Sequence, residues 1–429
     1  MLAKEMNGKE MRKANIIEII EYLLAFFLVI ESNSVWNYVY LKKSTTYIIM
    51  AIVYILIILT FKDILLNRGN FKRLVYVILG ISIYNIVFIM LNDINRIQFI
   101  LQFVVILLGL IVYQVGLINR GNGSKLLLKM SNIIVVLAVI SIIGYVFCTL
   151  LNVIHPSASI YYLWGGARYI PSYYGLYYVT QYIGLHGMNF TRNSGVFTEG
   201  TMYAFVLTVS MMCELFLRKK VKKINIIILI VAILSTFSTT GIVVSFGIII
   251  CRLIIEVFRN KKWRKVGMIV IPIVVVIGVV VAGYFVSSKL HQGTDSKKAS
   301  ISIRTDDMKV GAEAFKDRPI IGYGYGQFNY VQQYMNLKLR KNDIGGSSGV
   351  MSILPEGGIY LFSMYLIPML LAIGYGIKKR KPKYVIISLA MFVILVVTKI
   401  EYRYLVMYFL ALGWCFLFKR GEKALEKGR

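Results

Sequence analysis

The sequence predicts an all-α integral membrane protein of about twelve transmembrane helices, with both termini on the cytoplasmic side and two large outer loops. Three observations predict this fold. Of the 429 residues, 58% are hydrophobic and only 16% are charged, which is too apolar a balance for a soluble domain. The hydrophobic residues form runs long enough to cross about 30 Å of hydrocarbon. The lysines and arginines cluster between alternate runs, as the positive-inside rule requires.

The apolar runs define twelve predicted transmembrane segments. In chain order they are approximately 14 to 31, 45 to 61, 74 to 91, 98 to 118, 132 to 154, 201 to 217, 224 to 240, 241 to 258, 267 to 287, 358 to 377, 384 to 399 and 402 to 418. Only the polar stretch from Ser235 to Gly241 separates the seventh segment from the eighth. A single crossing from 224 to 258 would put its two flanking basic clusters on opposite sides, so two helices are predicted.

The chain is predicted to have five parts. These are helices at 1–154, an aromatic outer loop at 155–200, helices at 201–287, a large outer loop at 288–357, and helices with a basic cytoplasmic tail at 358–429. Charged and polar groups are costly inside the bilayer, so function is expected in the two outer loops and the helix ends beside them. The tyrosines of the first loop fit either an interfacial belt or a platform for sugar rings.

An amphipathic helix is predicted in the second outer loop. One face carries residues at helical spacing, namely Arg304, Met308, Ala312 and Phe315, and the opposite face carries Asp306, Lys309, Glu313 and Lys316. Pro319 ends the helix. The glycines between Gly322 and Gly326 predict tight turns; the segment is unlike a potassium filter or a nucleotide loop, because neither a pore helix nor a strand precedes it.

Composition argues against several partners. The net charge of +29 is an orientation signal against an anionic inner leaflet, so no nucleic-acid partner is predicted. The four cysteines fall inside predicted helices and read as small apolar residues. His155, His186 and His291 lack the spacing of a metal site, so no metal and no cofactor is predicted.

Arginine and glutamate residues on the outer side are the strongest candidates for chemistry. Five arginines lie there, against the cytoplasmic bias: Arg168, Arg192, Arg304, Arg318 and Arg340. A planar guanidinium binds phosphate oxygens with two hydrogen bonds, so arginines clustered beside a membrane could hold the diphosphate of a lipid carrier. The alternative is that they serve only solubility. Glu199 and Glu356 each stand at the outer mouth of a helix, next to a large loop.

A family resemblance is carried by an ordered series of motifs over roughly residues 185 to 370. The motifs are Phe190 to Gly200, Ser235 to Gly241, Arg304 with Ala312 and Phe315, Pro319 to Gly324, Ser347-Ser348-Gly349, and Ile353 to Gly358. In order and spacing they resemble the bacterial O-antigen ligase and polymerase superfamily, which includes the Wzy-type polysaccharide repeat-unit polymerases.

The resemblance implies an enzyme that acts on glycans carried by undecaprenyl diphosphate at the outer face of the bacterial cytoplasmic membrane. Polymerases of the superfamily join repeat units into capsule, exopolysaccharide or O-antigen, and ligases transfer finished glycan to a lipid core sugar. Ligases usually show His-Asn near the position where this chain has Ser347-Ser348-Gly349. Because this chain lacks His-Asn there, a polymerase is favoured over a ligase. The implied partners are a lipid-linked glycan donor and acceptor and membrane lipid, with a chain-length regulator and a flippase as further candidates.

Glycosyl transfer from a lipid diphosphate suggests roles for the outer residues. Arginines can stabilise the charge on the leaving diphosphate without a metal, and a base must take the proton of the acceptor hydroxyl. Arg192 and Arg304 are therefore predicted to bind the diphosphate, and Glu199 either to activate the acceptor or to orient Arg192. The other predicted substrate-binding residues are Arg318, Arg168, Tyr323, Ser347 and Ser348.

Two questions stay open at the level of sequence. The base could be Glu199, Glu356, Asp343, a histidine or no protein group at all. A lipid-linked oligosaccharide flippase or another polytopic transporter is the main alternative from a different class. Such transporters usually show two related halves and polar residues at mid-membrane, and neither is visible in this sequence.

Overall fold

The computed structural model is mostly helical and describes residues 2–42, 44–92, 95–185, 188–259, 295–327, 329–340 and 345–418. Its helices in chain order are α1 (Leu2–Glu31), α2 (Ser44–Leu59), α3 (Phe61–Leu65), α4 (Arg68–Leu91), α5 (Arg96–Asn119), α6 (Lys125–Leu150), α7 (Gly200–Phe216), α8 (Lys223–Ser235), α9 (Thr239–Arg259), α10 (Asp295–Asp317), α11 (Asn329–Gln332), α12 (Leu337–Arg340), α13 (Val350–Lys378), α14 (Pro382–Val397) and α15 (Tyr404–Leu417).

The helices agree with the predicted membrane segments wherever the structure describes the chain. Eleven of the twelve segments coincide with helices, and the segment predicted at 267 to 287 lies outside the described residues. Within the described part, five helices are long and apolar enough to cross a membrane, namely α4, α5, α6, α9 and α13. Five shorter apolar helices, α2, α7, α8, α14 and α15, accompany them. An integral helical membrane protein is thus supported, while the number twelve and the sidedness stay predictions.

The lipid-facing surfaces of the helices are apolar. On α4 the exposed side chains include Tyr76, Leu79, Ile83 and Met90, the last of them 79% exposed. A soluble protein rarely exposes so continuous an apolar surface, whereas a bilayer requires it. The inward faces of α5 and α7 are almost wholly buried, so these two helices lie at the centre of the bundle.

The chain reverses between α8 and α9, as the charge argument predicts. The helices are separated by residues 236–238, where Phe237 has a φ of +50°. Arg218, which precedes α8, and Arg259, which ends α9, line the same groove together with Arg380. Two basic clusters at opposite ends of one crossing could not meet, so the prediction of two helices is confirmed.

Contacts between loops agree with the predicted sides. Pairs at the predicted outer end are Thr198 N to Asn33 O (3.0 Å), Asn95 N to Tyr325 O (3.3 Å), and Arg403 Nη1 to Glu31 Oε1 (3.4 Å). Pairs at the predicted inner end are Arg73 Nη1 to Leu417 O (3.0 Å) and Lys125 Nζ to Glu21 Oε2 (2.9 Å). Each pair joins segments that the sequence assigns to one side.

The first outer loop contains two small antiparallel sheets that the sequence analysis does not predict. Strands β1 (Ala158–Tyr162), β2 (Arg168–Tyr173) and β3 (Tyr177–Tyr178) form one sheet in that order, and β4 (Tyr182–Leu185) pairs with β5 (Met188–Thr191). Tyrosine and isoleucine favour strands. Gly165, Gly166 and Gly175 have positive φ and allow the reversals. The helical description therefore holds for the membrane part, and this loop adds strands to it.

Helix α10 is amphipathic, but its buried face is not the predicted one. The buried residues are Asp307, Val310, Gly311 and Ala314. Arg304 is exposed, and Met308, Ala312 and Phe315 are only half-buried. The buried face could not be recognised from hydrophobicity, because it includes the charged residue Asp307. The Oδ1 of Asp307 accepts a 2.6 Å hydrogen bond from Arg340. Gly311 lies against α13, where an added Cβ would come within 2.7 Å of the Met351 Cβ.

The glycine-rich segment after α10 forms the predicted turns. Gly322, Gly324 and Gly326 all have positive φ. The segment docks on α13, because the backbone N–H groups of Tyr323 and Gly324 each donate a 2.8 Å hydrogen bond, to the carbonyl oxygens of Pro355 and Glu356 respectively. The structural interpretation of these glycines is confirmed.

Candidate active site at the predicted outer end

A polar cavity of about 470 Å³ opens at the predicted outer end of the bundle. Its walls are the beginning of α7, the exposed side of α10, the segment before α13 and the turn between α14 and α15. The polar and aromatic residues that line it are Trp164, Glu199, Thr201, Arg304, Ser347, Thr398, Lys399, Glu401, Tyr402 and Arg403. This volume lies in the range of pockets that hold small ligands.

Glu199 lines the cavity close to three arginines. It is the N-cap residue of α7 with an extended backbone, yet its carboxylate makes no capping hydrogen bond. Burial raises the pKa of Glu199 above its ordinary value, although the positive charges of Arg192, Arg304 and Arg403 oppose that shift. A carboxylate with a raised pKa is a stronger base than an ordinary one, so Glu199 is suited to take a proton.

Arg192 is held behind Glu199 and does not line the cavity. It follows β5, and its Nη1 donates a 3.1 Å hydrogen bond to Oε1 of Gln181. Burial lowers the pKa of Arg192 to about 10, and the nearby charge of Arg304 acts in the same direction, while Glu199 opposes it. Gly200 makes room for the guanidinium, since a Cβ there would lie 2.9 Å from the Nε of Arg192.

Arg304 and Ser347 come to the cavity from the second outer loop. Arg304 projects from the exposed side of α10, so its guanidinium is available to a ligand. Ser347 is fixed because its backbone N–H and its Oγ donate hydrogen bonds of 2.9 and 2.5 Å to Oδ2 of Asp307. The buried Arg340 in turn binds Asp307, so this wall is braced by an ion pair.

Arg168 and Ser348 lie outside the cavity. The Nη1 and Nη2 atoms of Arg168 donate hydrogen bonds of 3.0 and 2.9 Å to the carbonyl oxygens of Gly165 and Thr180, which ties the first sheet to its loop. Ser348 is buried, and its Oγ accepts a 3.2 Å hydrogen bond from the N–H of Met351 at the start of α13. Both side chains therefore have structural roles in this arrangement.

Arg318 and Tyr323 form a separate surface cluster. The guanidinium of Arg318 lies 4.8 Å from the centre of the Tyr323 ring. Tyr323 also stacks on Tyr330, and its hydroxyl forms a 2.8 Å hydrogen bond with the hydroxyl of Tyr334. The structure does not bring these residues to the cavity, because Pro319 ends α10 and the following turns carry the chain towards α13.

Glu356 holds two segments together. Its Oε2 accepts hydrogen bonds of 2.6 Å from the Tyr402 hydroxyl and 2.8 Å from the Gly326 N–H. Both donors bind this one oxygen, and Glu356 is buried and does not line the cavity, so its carboxylate anchors the glycine turns. Of the other suggested bases, His155 is exposed and does not line the cavity. Asp343, His186 and His291 lie outside the described residues.

The turn between α14 and α15 contributes three charged residues that the sequence analysis overlooked. Lys399, Glu401 and Arg403 all line the cavity. The turn separates two predicted membrane helices by only a few residues, so its charges look like ordinary loop residues. The sequence does mark Arg403 as a candidate, because it is an arginine on the predicted outer side, against the cytoplasmic bias. The same property marks Arg168, Arg192, Arg304, Arg318 and Arg340.

The fold and the cavity define a class of protein. It is a multi-pass helical membrane protein whose charged pocket combines basic side chains, two glutamates and the start of α7. The positive end of a helix and clustered guanidinium groups favour an anionic ligand.

A comparison with known protein families finds a match to part of the chain. Residues 224–366 match the O-antigen ligase family, which confirms the resemblance to the O-antigen ligase and polymerase superfamily. The match supports a multi-pass membrane enzyme of polysaccharide assembly. It includes Arg304 and Ser347, whereas Arg192, Glu199 and Arg403 lie outside it. No curated protein and no solved structure is significantly similar to the chain.

Proposed function

We propose that the protein is a polymerase that joins undecaprenyl-diphosphate-linked oligosaccharide repeat units into capsular, exo- or O-antigen polysaccharide at the outer face of the cytoplasmic membrane. The observation that carries the proposal is the single cavity shared by Arg304, Arg403 and Glu199. It combines groups for an anionic leaving group with a carboxylate that can serve the acceptor. The O-antigen ligase family match supports the same chemistry.

The basic wall suits the diphosphate of the donor. When the bond between the anomeric carbon and the diphosphate oxygen breaks, negative charge develops on that oxygen. Arg304, Lys399 and Arg403 supply positive charge, and the beginning of α7 at Thr201 adds the positive end of a helix dipole. Fixed positive groups of this kind stabilise a leaving diphosphate without requiring a metal ion.

The acceptor sugar needs a group that removes a proton. Its hydroxyl oxygen forms the new bond to the donor anomeric carbon, and the proton passes to a carboxylate in the cavity. Glu199 is either this carboxylate, since burial raises its pKa, or the group that orients Arg192. Arg192 acts through Glu199: it is held by Gln181 and keeps a positive charge behind the carboxylate. Arg168, Arg318, Tyr323 and Ser348 take no part in this scheme.

The alternatives are an O-antigen-type ligase and a lipid-linked oligosaccharide flippase. Ser347-Ser348-Gly349 stands where ligases usually have His-Asn, which favours the polymerase over the ligase. The charged cavity lies at one end of the described bundle and is built from loops and helix ends. A transporter is expected to carry such groups near the bilayer midplane, so an enzyme is favoured.

The test is an analysis of lipid-linked and surface glycan from a host that makes the cognate repeat unit. A deletion strain is complemented with the wild-type gene, Arg304→Ala or Lys309→Ala. Lys309 is the matched control because it is exposed on the same helix and does not line the cavity. We expect single lipid-linked units at the outer face in the deletion and Arg304→Ala strains, and a polymer ladder in the others.

Other outcomes would identify the alternatives. Units trapped at the inner face of the deletion strain would indicate a flippase. Finished polymer that stays on its carrier would indicate a ligase. A normal ladder from Arg304→Ala, at wild-type protein level, would remove Arg304 from the mechanism.

A further inference from the structure

A second carboxylate in the cavity wall has no assigned role. Glu401 lies in the turn between α14 and α15, lines the cavity and is only 1% exposed. Neither of its carboxylate oxygens has a hydrogen-bond partner on another described residue, and only its own backbone N–H faces the carboxylate. A buried carboxylate without a partner is costly, by several kcal/mol if it is ionised. Such a group calls for an explanation, and catalysis is a common one.

We infer that Glu401 is the general base that removes the proton from the acceptor sugar hydroxyl, an inference that rests on the proposed polymerase function. Glu199 then has a different task. Arg192, Arg304 and Arg403 act electrostatically on Glu199, so it balances positive charge where the anionic donor binds. Glu401 lies in the wall formed by the α14–α15 turn, where its oxygens are not committed to another residue.

The turn that carries Glu401 is held firmly in place. The hydroxyl of Tyr365 donates a 2.8 Å hydrogen bond to the Glu401 carbonyl oxygen. The N–H of Gly349 binds the carbonyl oxygens of Leu395 and Thr398, at 2.9 and 3.2 Å. Gly349 also makes space for the carboxylate, because a Cβ at this position would lie 3.0 Å from Oε2 of Glu401. A rigid backbone with a free side chain fits a preorganised catalytic group.

The carboxylate needs only a side-chain movement to meet an acceptor. Its oxygens are closed to bulk solvent. Rotation about the side-chain bonds of Glu401 would turn the carboxylate into the cavity that its residue already lines. The acceptor hydroxyl then donates to it, its oxygen bonds to the donor anomeric carbon, and the proton stays on the carboxylate while the lipid diphosphate leaves.

The electrostatic surroundings of Glu401 are suited to a base that works near neutral pH. Burial raises the pKa of Glu401 to about 7 and the charge of Glu356 adds to the rise, while Lys399 and Arg403 oppose it. The neighbouring phenols come from Tyr325, Tyr365 and Tyr402. Glu199 and Arg304 lie in the other walls of the cavity.

The inference is tested with Glu401→Gln and Glu401→Asp in the purified full-length protein. The substrate is the lipid-linked repeat unit extracted from the deletion strain, and polymer formation is followed between pH 5.5 and 8.5. Glu313→Gln is the matched control, because Glu313 is an exposed carboxylate of α10 outside the cavity. Binding of undecaprenyl diphosphate and the melting temperature are measured for every variant.

We expect Glu401→Gln to lower kcat by about 100-fold or more, with little change in KM or in undecaprenyl diphosphate binding. The wild-type rate should fall by about tenfold for each pH unit below 7, and Glu401→Gln should lose this dependence. Glu401→Asp should retain the pH dependence at a lower rate. The melting temperature of Glu401→Gln should equal or exceed that of wild type, because a buried charge is removed.

The contrary outcomes are distinct. Wild-type kcat and pH dependence in Glu401→Gln would overturn the inference and leave the proposed function intact. A lower melting temperature together with weaker undecaprenyl diphosphate binding would assign Glu401 a structural role, which also overturns it. If the wild-type protein makes no polymer from the extracted units, the proposed function fails, and the inference fails with it.

Discussion

Arg192 donates a hydrogen bond of 2.8 Å from its Nε to the main-chain carbonyl oxygen of Thr236. This bond joins the first outer loop to the short break between α8 and α9. Because α8 ends at Ser235, the carbonyl oxygen of Thr236 receives no hydrogen bond from a continuing helix and is available as an acceptor. The family motifs around Arg192 and around Ser235 to Gly241 therefore meet in space, although more than forty residues separate them.

Replacing Arg192 by lysine tests this arrangement. Lysine keeps the charge but cannot donate to both Thr236 and Gln181 with the geometry of a guanidinium. We expect the free energy of unfolding to fall by about 1.5–3 kcal/mol, the range for hydrogen bonds to charged groups, and polymerisation to slow. Denaturation in detergent and the glycan ladder are the measurements. Equal stability and a normal ladder would contradict the role given to the guanidinium.

Arg304 and Arg318 form a natural pair for comparison. Both are exposed, Arg304 within α10 and Arg318 directly after its end, but only Arg304 lines the cavity. Arg304→Ala should lower the polymerisation rate by about 100-fold, the cost of removing one group that stabilises developing negative charge. Arg318→Ala should leave the rate close to wild type. If the two variants were equally impaired, the cavity would not be the diphosphate site.

Glu199→Gln is expected to stabilise the protein while it impairs activity. Burial raises the pKa of Glu199 in the folded state, so the ionised form lowers stability above the pKa of the unfolded chain. The variant should therefore melt at a higher temperature than wild type at pH 8. The difference should shrink towards pH 4, where the carboxyl group is protonated in both states. A variant that melts lower at pH 8 would show that Glu199 is held by favourable contacts.

Gly322→Ala should disrupt the glycine turns that dock on α13. Gly322 has a φ of +65°, and an added Cβ would lie 2.5 Å from the backbone nitrogen of Gly357. We expect a loss of at least about 2 kcal/mol in stability, from backbone strain and overpacking together. Gly374→Ala is the control, because nothing lies within 4 Å of a Cβ at that position. The melting temperatures of the two variants should differ clearly, and similar values would contradict the prediction.

The sequence predicts the helices well because each one depends on a local property. A run of about twenty apolar residues spans the bilayer wherever it occurs, and basic flanks identify its ends. The reversal at Ser235 to Thr239 could be predicted for the same reason. The buried face of α10 could not, since Asp307 is buried only because Arg340 neutralises it from another helix.

The site was only half predictable for a similar reason. Arg192, Glu199 and Arg304 lie in the motifs on which the sequence resemblance rests. Glu199 and Arg304 line one cavity, and Arg192 acts electrostatically on Glu199. Glu401 lies outside the motifs on which the sequence resemblance rests. Its significance depends on burial and on the lack of a hydrogen-bond partner, which are properties of the folded chain. Arg168 and Arg318 are the opposite case. As arginines they are suited to bind phosphate, but neither of them lines the cavity.

The walls of the cavity differ in their relation to the family match. Arg304 and Ser347 fall inside residues 224–366, whereas Glu199 and Glu401 come from segments on either side. A recombination event confined to the matched region would exchange one wall and leave the opposite walls unchanged. Chimaeras made at these boundaries would therefore combine Arg304 and Ser347 of one protein with Glu199, Glu401 and Arg403 of another. In evolution, this layout lets the wall that carries Arg304 and Ser347 diverge while the other walls are inherited intact.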